Sequence, residues 1–155
     1  MGQLIRTFFW VPGKAEEAAN FWVSIIPDSK VDSVNPLTED GSVTVVEFTL
    51  GGQQYLAMNA GDPPAASFQV SQLIRAADQA EVDRLWDALT ADGGKPDQCG
   101  WLTDKFGIAW QVIPDEMYML LGDPDPVRAQ RAGAAMMQMA KIDLAVMKAA
   151  MDADS

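Results

Sequence analysis

The sequence predicts an α+β protein made of two tandem βαβββ modules and a C-terminal helical tail. The order strand, helix and three strands occurs twice, at residues 1–60 and 67–121, with a short Pro-rich linker at residues 61–66 and the tail at residues 122–155. The two predicted helices also resemble each other, since Glu17 and Trp22 correspond to Glu81 and Trp86 at the same offset. A repeat of this length indicates two copies of one supersecondary unit within a single domain.

The first module begins with an apolar stretch, residues 5–11, which predicts a buried strand ended by Pro12-Gly13. Residues 14–26 have apolar side chains at helical spacing and acids in the first turn, so they predict a helix that ends at Pro27. Three strands are expected next, at residues 30–35, 42–50 and 54–59. Gly51-Gly52 lies between the last two and predicts a two-residue hairpin.

The second module repeats this order. Residues 67–74 predict a strand, and Asp78 with Glu81 three residues later predicts a capping box at the start of a helix. The core-facing stripe of that helix consists of Val82, Leu85, Trp86 and Leu89. Gly93-Gly94 ends the helix, and short strands are expected at residues 95–99, 101–104 and 108–113.

The tail begins at a chain break formed by Asp123-Pro124-Asp125-Pro126. Pro126 is tolerated in the first turn of a helix, so one or two helices are predicted up to residue 151. Their apolar face includes Met136, Met139, Ile142 and Met147. This face packs on the domain or on a second subunit, or it is an adaptable binding surface.

Composition excludes several functional classes. The 155 residues contain no histidine, which excludes a Ser-His-Asp triad, an HExxH zinc site and any His-ligated metal. Cys99 is the one cysteine, so neither a disulfide within the chain nor a multi-thiolate site forms. The net charge of −11 argues against nucleic acid and anionic membranes as partners. With no signal-peptide pattern and no membrane-spanning stretch, a cytoplasmic location is expected.

Three segments carry a family resemblance: WVPGKAEEAANFW at residues 10–22, QCGWLTDKFGIAWQV at residues 98–112, and Asp123-Pro124-Asp125-Pro126 with the Met-rich helix after it. Together they resemble the PhnB-like branch, often labelled 3-demethylubiquinone methyltransferase-like, of the vicinal oxygen chelate superfamily. That superfamily includes glyoxalases, extradiol dioxygenases and antibiotic-resistance proteins. The resemblance implies a homodimer in which the modules form a curved mixed sheet around a cavity. It also implies a small-molecule ligand.

In metal-using relatives, side chains on facing strands chelate a divalent ion. The resemblance places Arg6 near the first ligand position and Gln111 near the last, with Ser67, Gln69 and Asn59 near the others. Because a guanidinium repels a cation and neutral amides are weak ligands, we expect no bound metal and no cofactor. The methyltransferase label is also not expected to describe an activity, since the chain has no GxGxxG in a strand-turn-helix context.

Glu47 is the candidate catalytic residue, because it is an acid inside an otherwise apolar strand. Directed into a cavity it would be a desolvated general base; directed outward it would be an ordinary surface or rim carboxylate. The candidate ligand-binding residues are Asn59, Gln69, Trp101 and Gln111. The two glutamines either bind a ligand carbonyl or bond each other and the backbone.

The remaining aromatic residues and the thiol also have two interpretations. Phe9, Trp10 and Trp110 line an aromatic cavity together with Trp101, or they are core and dimer contacts. Cys99 is a reactive thiol or a buried inert one. The preferred function is metal-free binding of a small molecule, and the alternatives are a metal-independent isomerase or lyase that uses Glu47 and a dimeric scaffold.

Overall fold

The computed structural model describes residue 4, residues 6–62 and residues 70–153. The chain divides into two compact units, Met1–Ala66 and Ser67–Ser155. Each unit has one open, four-stranded mixed sheet with a helix on one of its faces, so the protein has the α+β class that the sequence predicts. Within the described part of the chain, no helix combines the length and the apolar character needed to cross a membrane.

The first unit contains β1 (Thr7–Trp10), α1 (Ala15–Ile25), β2 (Lys30–Pro36), β3 (Thr44–Leu50) and β4 (Gln53–Asn59). Its strands lie in the order β1-β4-β3-β2, with β1 parallel to β4 and the other two pairs antiparallel. The chain leaves the edge strand β1 through α1 before it builds the antiparallel strands, which is the kind of crossover that a parallel pair requires.

Aromatic rings form the core between α1 and this sheet. Trp22 of α1 is fully buried, with its ring centroid 5.2 Å from that of Phe9 and 5.6 Å from that of Phe48. Tyr55 stacks on Phe9 at 5.7 Å, and burial raises the pKa of its phenol. The apolar side of the predicted first helix therefore faces the core through Trp22. The interpretation of Phe9 as a cavity residue is wrong, because its ring faces α1.

The hairpin between β3 and β4 has the two-residue turn that the sequence predicts. Gly51 and Gly52 both have positive φ angles, 55° and 82°, and connect strands that pair in continuous register from Leu50↔Gln53 onward. A turn with two positive φ angles matches the twist of the strands and strongly favours glycine at both positions.

The second unit begins with β5 (Gln72–Ala76), α2 (Gln79–Thr90), β6 (Lys95–Pro96), β7 (Trp101–Thr103) and β8 (Ala109–Pro114). The strand order β5-β8-β7-β6 has the same pattern of parallel and antiparallel pairs as the first sheet. The predicted repeat of βαβββ is therefore confirmed. The predicted stripe of α2 is also confirmed, since all four of its members are buried: Val82, Leu85, Trp86 and Leu89.

The N-terminus of α2 has half of the predicted capping box. The side chain of Asp78 accepts a hydrogen bond from the backbone N–H of Glu81 at 2.9 Å. The carboxylate of Glu81, however, binds the guanidinium of Arg84 at 2.7 and 2.8 Å instead of returning to Asp78. A charged partner one turn away competes successfully for the carboxylate, and it lowers the pKa of Glu81.

The C-terminal extension comprises α3 (Asp115–Leu121), α4 (Pro126–Met136) and α5 (Leu144–Asp152). The predicted start at Pro126 is confirmed, and the tail after it forms two helices. Helix α3 was not expected, because it follows β8 without a turn signal. The extension packs on its own unit through a cluster of buried residues: Ile113, Met117, Ala132, Ile142, Leu144, Met147 and Met151.

Some strand boundaries differ from the prediction. Strand β5 is Gln72–Ala76 and not residues 67–74: Val70 and Ser71 precede it, and residues 67–69 lie outside the described residues. Strand β6 ends at Pro96 instead of residue 99, because Cys99 and Gly100 turn the chain with positive φ angles of 58° and 83°. Such angles are incompatible with an extended strand.

Candidate functional site

The first sheet has an open face, on the side opposite to α1. Side chains alternate along a strand, so Phe9 and its neighbours facing α1 are buried while Phe8 and Trp10 lie on the other side. The cross-strand register continues this face over β4 and β3 through Leu56, Met58, Val45 and Glu47. We call this surface the open face of the first unit.

Apolar side chains make up most of the open face of the first unit. Phe8 is 49% exposed and Trp10 is 42% exposed, whereas Leu56 and Met58 beside them are partly buried. The indole N–H of Trp10 donates to the carbonyl oxygen of Ala60, which holds the ring in one orientation. The face therefore presents two aromatic rings next to a strip of aliphatic surface.

One ion pair lies at the edge of these apolar side chains. A terminal nitrogen of Arg6 is 3.5 Å from a carboxylate oxygen of Glu47, and the two side chains are 33% and 42% exposed. Glu47 is in register with Leu56, and Leu56 is in register with Phe8, so the carboxylate shares a row with the aromatic ring. Within the first unit, both members of this ion pair are therefore partly open to solvent.

Asn59, another candidate ligand-binding residue, lies on the opposite face of the first sheet from Glu47. Its position in β4 alternates with those of Tyr55 and Ala57, which face α1, and its side-chain oxygen accepts a hydrogen bond from the backbone N–H of Thr44 at 2.7 Å. That bond closes the end of the β3–β4 ladder. The structure therefore does not bring Asn59 together with Glu47 on one face.

The second sheet also has an open face, opposite to α2. Trp101 of β7 and Leu73 of β5 are both in register with Gln111 of β8, so the three side chains form one row across the strands. Gln111 donates from its amide nitrogen to the hydroxyl of Ser71 at 2.9 Å. The structure thus brings together two predicted ligand-binding residues, Trp101 and Gln111, while Gln69 lies outside the described residues.

Part of the segment at residues 98–112 that resembles the family has a structural role in the second unit. The carboxylate of Asp104, which is only 2% exposed, accepts hydrogen bonds from the backbone N–H groups of Phe106 and Ile108 and from the indole of Trp110, at 2.9–3.0 Å. Trp110 is therefore a core residue, and the cavity interpretation is wrong for it. The sequence offered a signal for this role, since Asp-x-x-Gly predicts a tight turn.

Sequence reasoning missed Phe8 and its neighbour Met58. The signal that could have found them is the alternation along β1, because a strand with one face under a helix must direct every second residue to the other face. The prediction instead treated residues 5–11 as buried on both sides. Trp10 was predicted as a possible cavity residue, and it does lie on the open face.

The donor groups do not suit a chelated divalent metal. Among residues 6–62 and 70–153, no three His, Cys, Asp or Glu side chains converge to hold an ion. Arg6 places a positive charge at the position that the resemblance gives to a ligand, and it already pairs with Glu47. A guanidinium repels cations, and an amide such as that of Gln111 is a weak ligand for transition metals. The residues present therefore do not fit the metal centre of metal-using relatives.

Comparison with known proteins supports the fold and identifies a family match. Residues 3–113 match the sequence model of a family described as 3-demethylubiquinone-9 3-methyltransferase. The match spans both βαβββ modules and ends within β8, before the C-terminal extension. No curated protein matches the chain.

Solved structures of other proteins have a similar fold. The chain is 29% identical to the PhnB protein from Bacillus cereus, with a TM-score of 0.64 over 72% of this chain and 99% of that one. A protein from Pseudomonas aeruginosa is 19% identical (73% and 98% covered, TM-score 0.61), and the fosfomycin resistance protein FosX from Listeria monocytogenes is 11% identical (77% and 96%, TM-score 0.57). The last two similarities show the fold alone.

Proposed function

The chain belongs to the 3-demethylubiquinone-9 3-methyltransferase family, the PhnB-like branch of the vicinal oxygen chelate superfamily, and from this premise we propose that it is a metal-free protein that binds an apolar small molecule. The proposed binding surface is the open face of the first unit. Trp101 and Gln111 are proposed as ligand contacts of the open face of the second unit, considered by itself. A cytoplasmic homodimer is part of the same proposal.

The exposed aromatic pair is the observation that carries this proposal. Nearly half of the surface of Phe8 and of Trp10 is exposed, although the opposite face of the same sheet is a buried aromatic core. Two exposed aromatic rings next to further apolar side chains form a contiguous patch, and contiguous exposed apolar patches are typical of interaction and ligand-binding surfaces. Ligand sites combine such apolar walls with a few polar groups, which Arg6 and Glu47 supply here.

Methyl transfer is not part of the proposal, although the family description names it. Enzymes that bind S-adenosylmethionine in a doubly wound sheet need several parallel strands and a Gly-rich first turn. In the described residues, each sheet has a single parallel pair, and β1 runs into α1 through Pro12-Gly13. The family name therefore says which proteins this chain is related to, and we do not take it as evidence for methyl transfer by this chain.

A fluorescent apolar probe, N-phenyl-1-naphthylamine, tests binding at the open face of the first unit. Replacing Phe8 by serine removes apolar contact area, so we expect the probe to bind roughly tenfold more weakly, the equivalent of about 1.4 kcal/mol. Tyr118→Ser is the matched control, because Tyr118 of α3 is an aromatic residue of similar exposure, 51%, in the other unit. Equal weakening by both substitutions would contradict the proposal.

Glu47 supports a second candidate, the metal-independent isomerase or lyase. Its carboxylate is on the same face as the aromatic rings and beside Arg6, where a carbonyl substrate on the rings would be within reach of a base. The test is proton exchange α to a carbonyl in deuterated water, followed by NMR with simple ketones and 2-oxo acids. We expect Glu47→Gln to abolish exchange and Glu116→Gln to retain it; exchange that survives in Glu47→Gln would exclude Glu47 as the base.

Native mass spectrometry tests the homodimer and the absence of metal together. We expect a dimer of polypeptide mass with at most an organic adduct. A dimer with one stoichiometric divalent ion for each subunit would overturn the metal-free proposal and return the protein to the metal-dependent members of its superfamily.

A further inference from the structure

Arg6 has unused hydrogen-bonding capacity. A guanidinium carries five N–H donors, and in the described part of the chain Glu47 is the one hydrogen-bond and ion-pair partner of its side chain. The contact joins one nitrogen to one oxygen at 3.5 Å, the outer limit of a hydrogen bond, whereas Arg84 and Glu81 form a two-pronged pair at 2.7 and 2.8 Å. Arg6 is thus held beside Glu47 without being saturated by it.

Arg6 is also placed where an apolar ligand would end. Arg6 immediately precedes β1, and its contact with Glu47, which lies in the row of Phe8, places its guanidinium on the same side of the sheet as Phe8 and Trp10. A planar body lying against the two rings would therefore bring a substituent at its end to the guanidinium. Across the strands, the neighbours Leu56 and Met58 are uncharged, so Arg6 supplies the positive charge next to the rings.

The charge of the protein gives this arrangement selectivity. With 22 acidic and 11 basic side chains, the general field of the chain repels anions. An anionic ligand is therefore attracted only where a local cation is accessible, and an apolar surface beside that cation strengthens the attraction because it excludes water.

We propose that the ligand of the open face of the first unit is a planar apolar molecule with one anionic group, a carboxylate or sulfonate, and that Arg6 binds this group while Glu47 competes with it. This inference rests on the proposed binding function and specifies its ligand class. Glu47 positions the guanidinium in the free protein, and the ligand anion takes the donors that Glu47 leaves open.

Two probes with the same aromatic body test the inference. N-phenyl-1-naphthylamine is neutral, and 1-anilinonaphthalene-8-sulfonate adds one sulfonate. We expect Arg6→Gln to weaken binding of the sulfonate probe about fivefold more than it changes binding of the neutral probe, because one charge-assisted contact is lost for the sulfonate alone. Arg6→Lys is expected to retain part of the preference. Arg75→Gln is the charge-matched control, since Arg75 pairs with Asp115 in the second unit and is 72% exposed.

Removing the competitor should act in the opposite direction. We expect Glu47→Gln to tighten binding of the sulfonate probe about threefold relative to its effect on the neutral probe. Glu116→Gln removes the same charge from a carboxylate of matching exposure, 41%, that pairs with Lys148 in the second unit, and it should have no such effect. Added salt should weaken only the sulfonate probe.

The outcomes separate this inference from the proposed function. If the neutral probe binds and depends on Phe8 but Arg6→Gln affects both probes equally or neither, the anion assignment is wrong and the apolar site stands. If Arg75→Gln reduces sulfonate binding as much as Arg6→Gln does, the effect is general electrostatics and the inference fails. If neither probe binds the unmodified protein, the proposed function fails and the inference falls with it.

Discussion

Gly100 shows at the scale of one residue how the C-terminal extension is attached. Its N–H donates to the carbonyl of Ala140 at 2.7 Å, and the N–H of Cys99 donates to the carbonyl of Met139 at 2.8 Å. A Cβ at Gly100 would lie 2.9 Å from the side chain of Ile113 and 3.1 Å from that of Ile142. The extension is therefore hydrogen-bonded to the Gln-Cys-Gly-Trp segment, and the backbone N–H of Cys99 makes one of these bonds.

A pair of glycine substitutions tests how closely Gly100 is packed by its neighbours. Gly100 and Gly107 have the same φ of 83°, but a Cβ at Gly107 meets nothing within 4 Å. We expect Gly107→Ala to cost about 1 kcal/mol of unfolding free energy, from backbone strain alone. Gly100→Ala should cost about 2–4 kcal/mol, because steric overlap adds to the same strain. Urea denaturation measures both, and equal costs would mean that Val112, Ile113 and Ile142 do not crowd a side chain at Gly100.

At the scale of elements, α2 is joined to the extension by polar contacts. The side chain of Gln79 donates to the carbonyl of Ile142 and accepts from the N–H of Leu144, both at 2.9 Å, which satisfies backbone groups at the start of α5. One turn later, Asp83 forms an ion pair with Lys141 at 2.9 Å. These contacts hold the segment before α5 against the outer side of α2.

The Asp83–Lys141 pair predicts a pH dependence. The hydrogen bond from Lys141 lowers the pKa of Asp83 below 3.8, so its stabilisation is present above pH 3.8 and disappears as the pH falls through the lowered pKa. The same bond raises the pKa of Lys141 above 10.5, so the stabilisation also disappears as the pH rises through that raised pKa. The pair is partly exposed, and solvent screening limits it to less than about 1 kcal/mol.

The measurement is the unfolding free energy of the wild type minus that of Asp83→Asn between pH 3 and 11. We expect the difference to be positive from about pH 5 to 9 and to decrease toward both ends of the range. Glu39→Gln, an exposed site in the β2–β3 connection, corrects for the change in net charge. A difference that stays constant over the whole range would show that Asp83 acts by packing rather than by charge.

At the scale of the whole molecule, the extension is part of the second unit and not an appendage. The family match ends at residue 113, and the PhnB protein of Bacillus cereus is covered over 99% of its length by 72% of this chain. The extension is therefore additional to what these relatives share. It nevertheless contributes most of a hydrophobic cluster that includes Ile113 of β8, with Met147 fully buried at its centre.

A methionine pair tests whether this cluster stabilises the sheet. Met147→Ala leaves a cavity in the cluster and should cost about 2–5 kcal/mol, whereas Met119→Ala on the exposed side of α3 should change stability by less than about 0.5 kcal/mol. Hydrogen exchange followed by mass spectrometry should show faster exchange in β8 for Met147→Ala. Faster exchange confined to α4 and α5 would identify the extension as an independent element.

Much of the local structure could be predicted from the residues. The stripe of α2, the hairpin at Gly51-Gly52 and the helix start at Pro126 follow from periodicity and turn chemistry, which are properties of short segments. Helix α3 could not be predicted, because a seven-residue segment carries little periodic signal and its burial depends on α4 and α5. The first strand was assigned with both faces buried, since a short apolar run does not reveal which face a helix will cover.

The sequence by itself determined the repeat of βαβββ, the elements within each copy and the exclusion of His-based chemistry, because these depend on residue types and their spacing. Only the tertiary structure decided which faces those elements present. Alternation along β1 separates Phe8 and Trp10 from Phe9, and register across β4 and β3 brings Glu47 into a row with Phe8. The physical reason is that a side chain's neighbours on a sheet belong to other strands, so a site on that sheet exists only once the strands have paired.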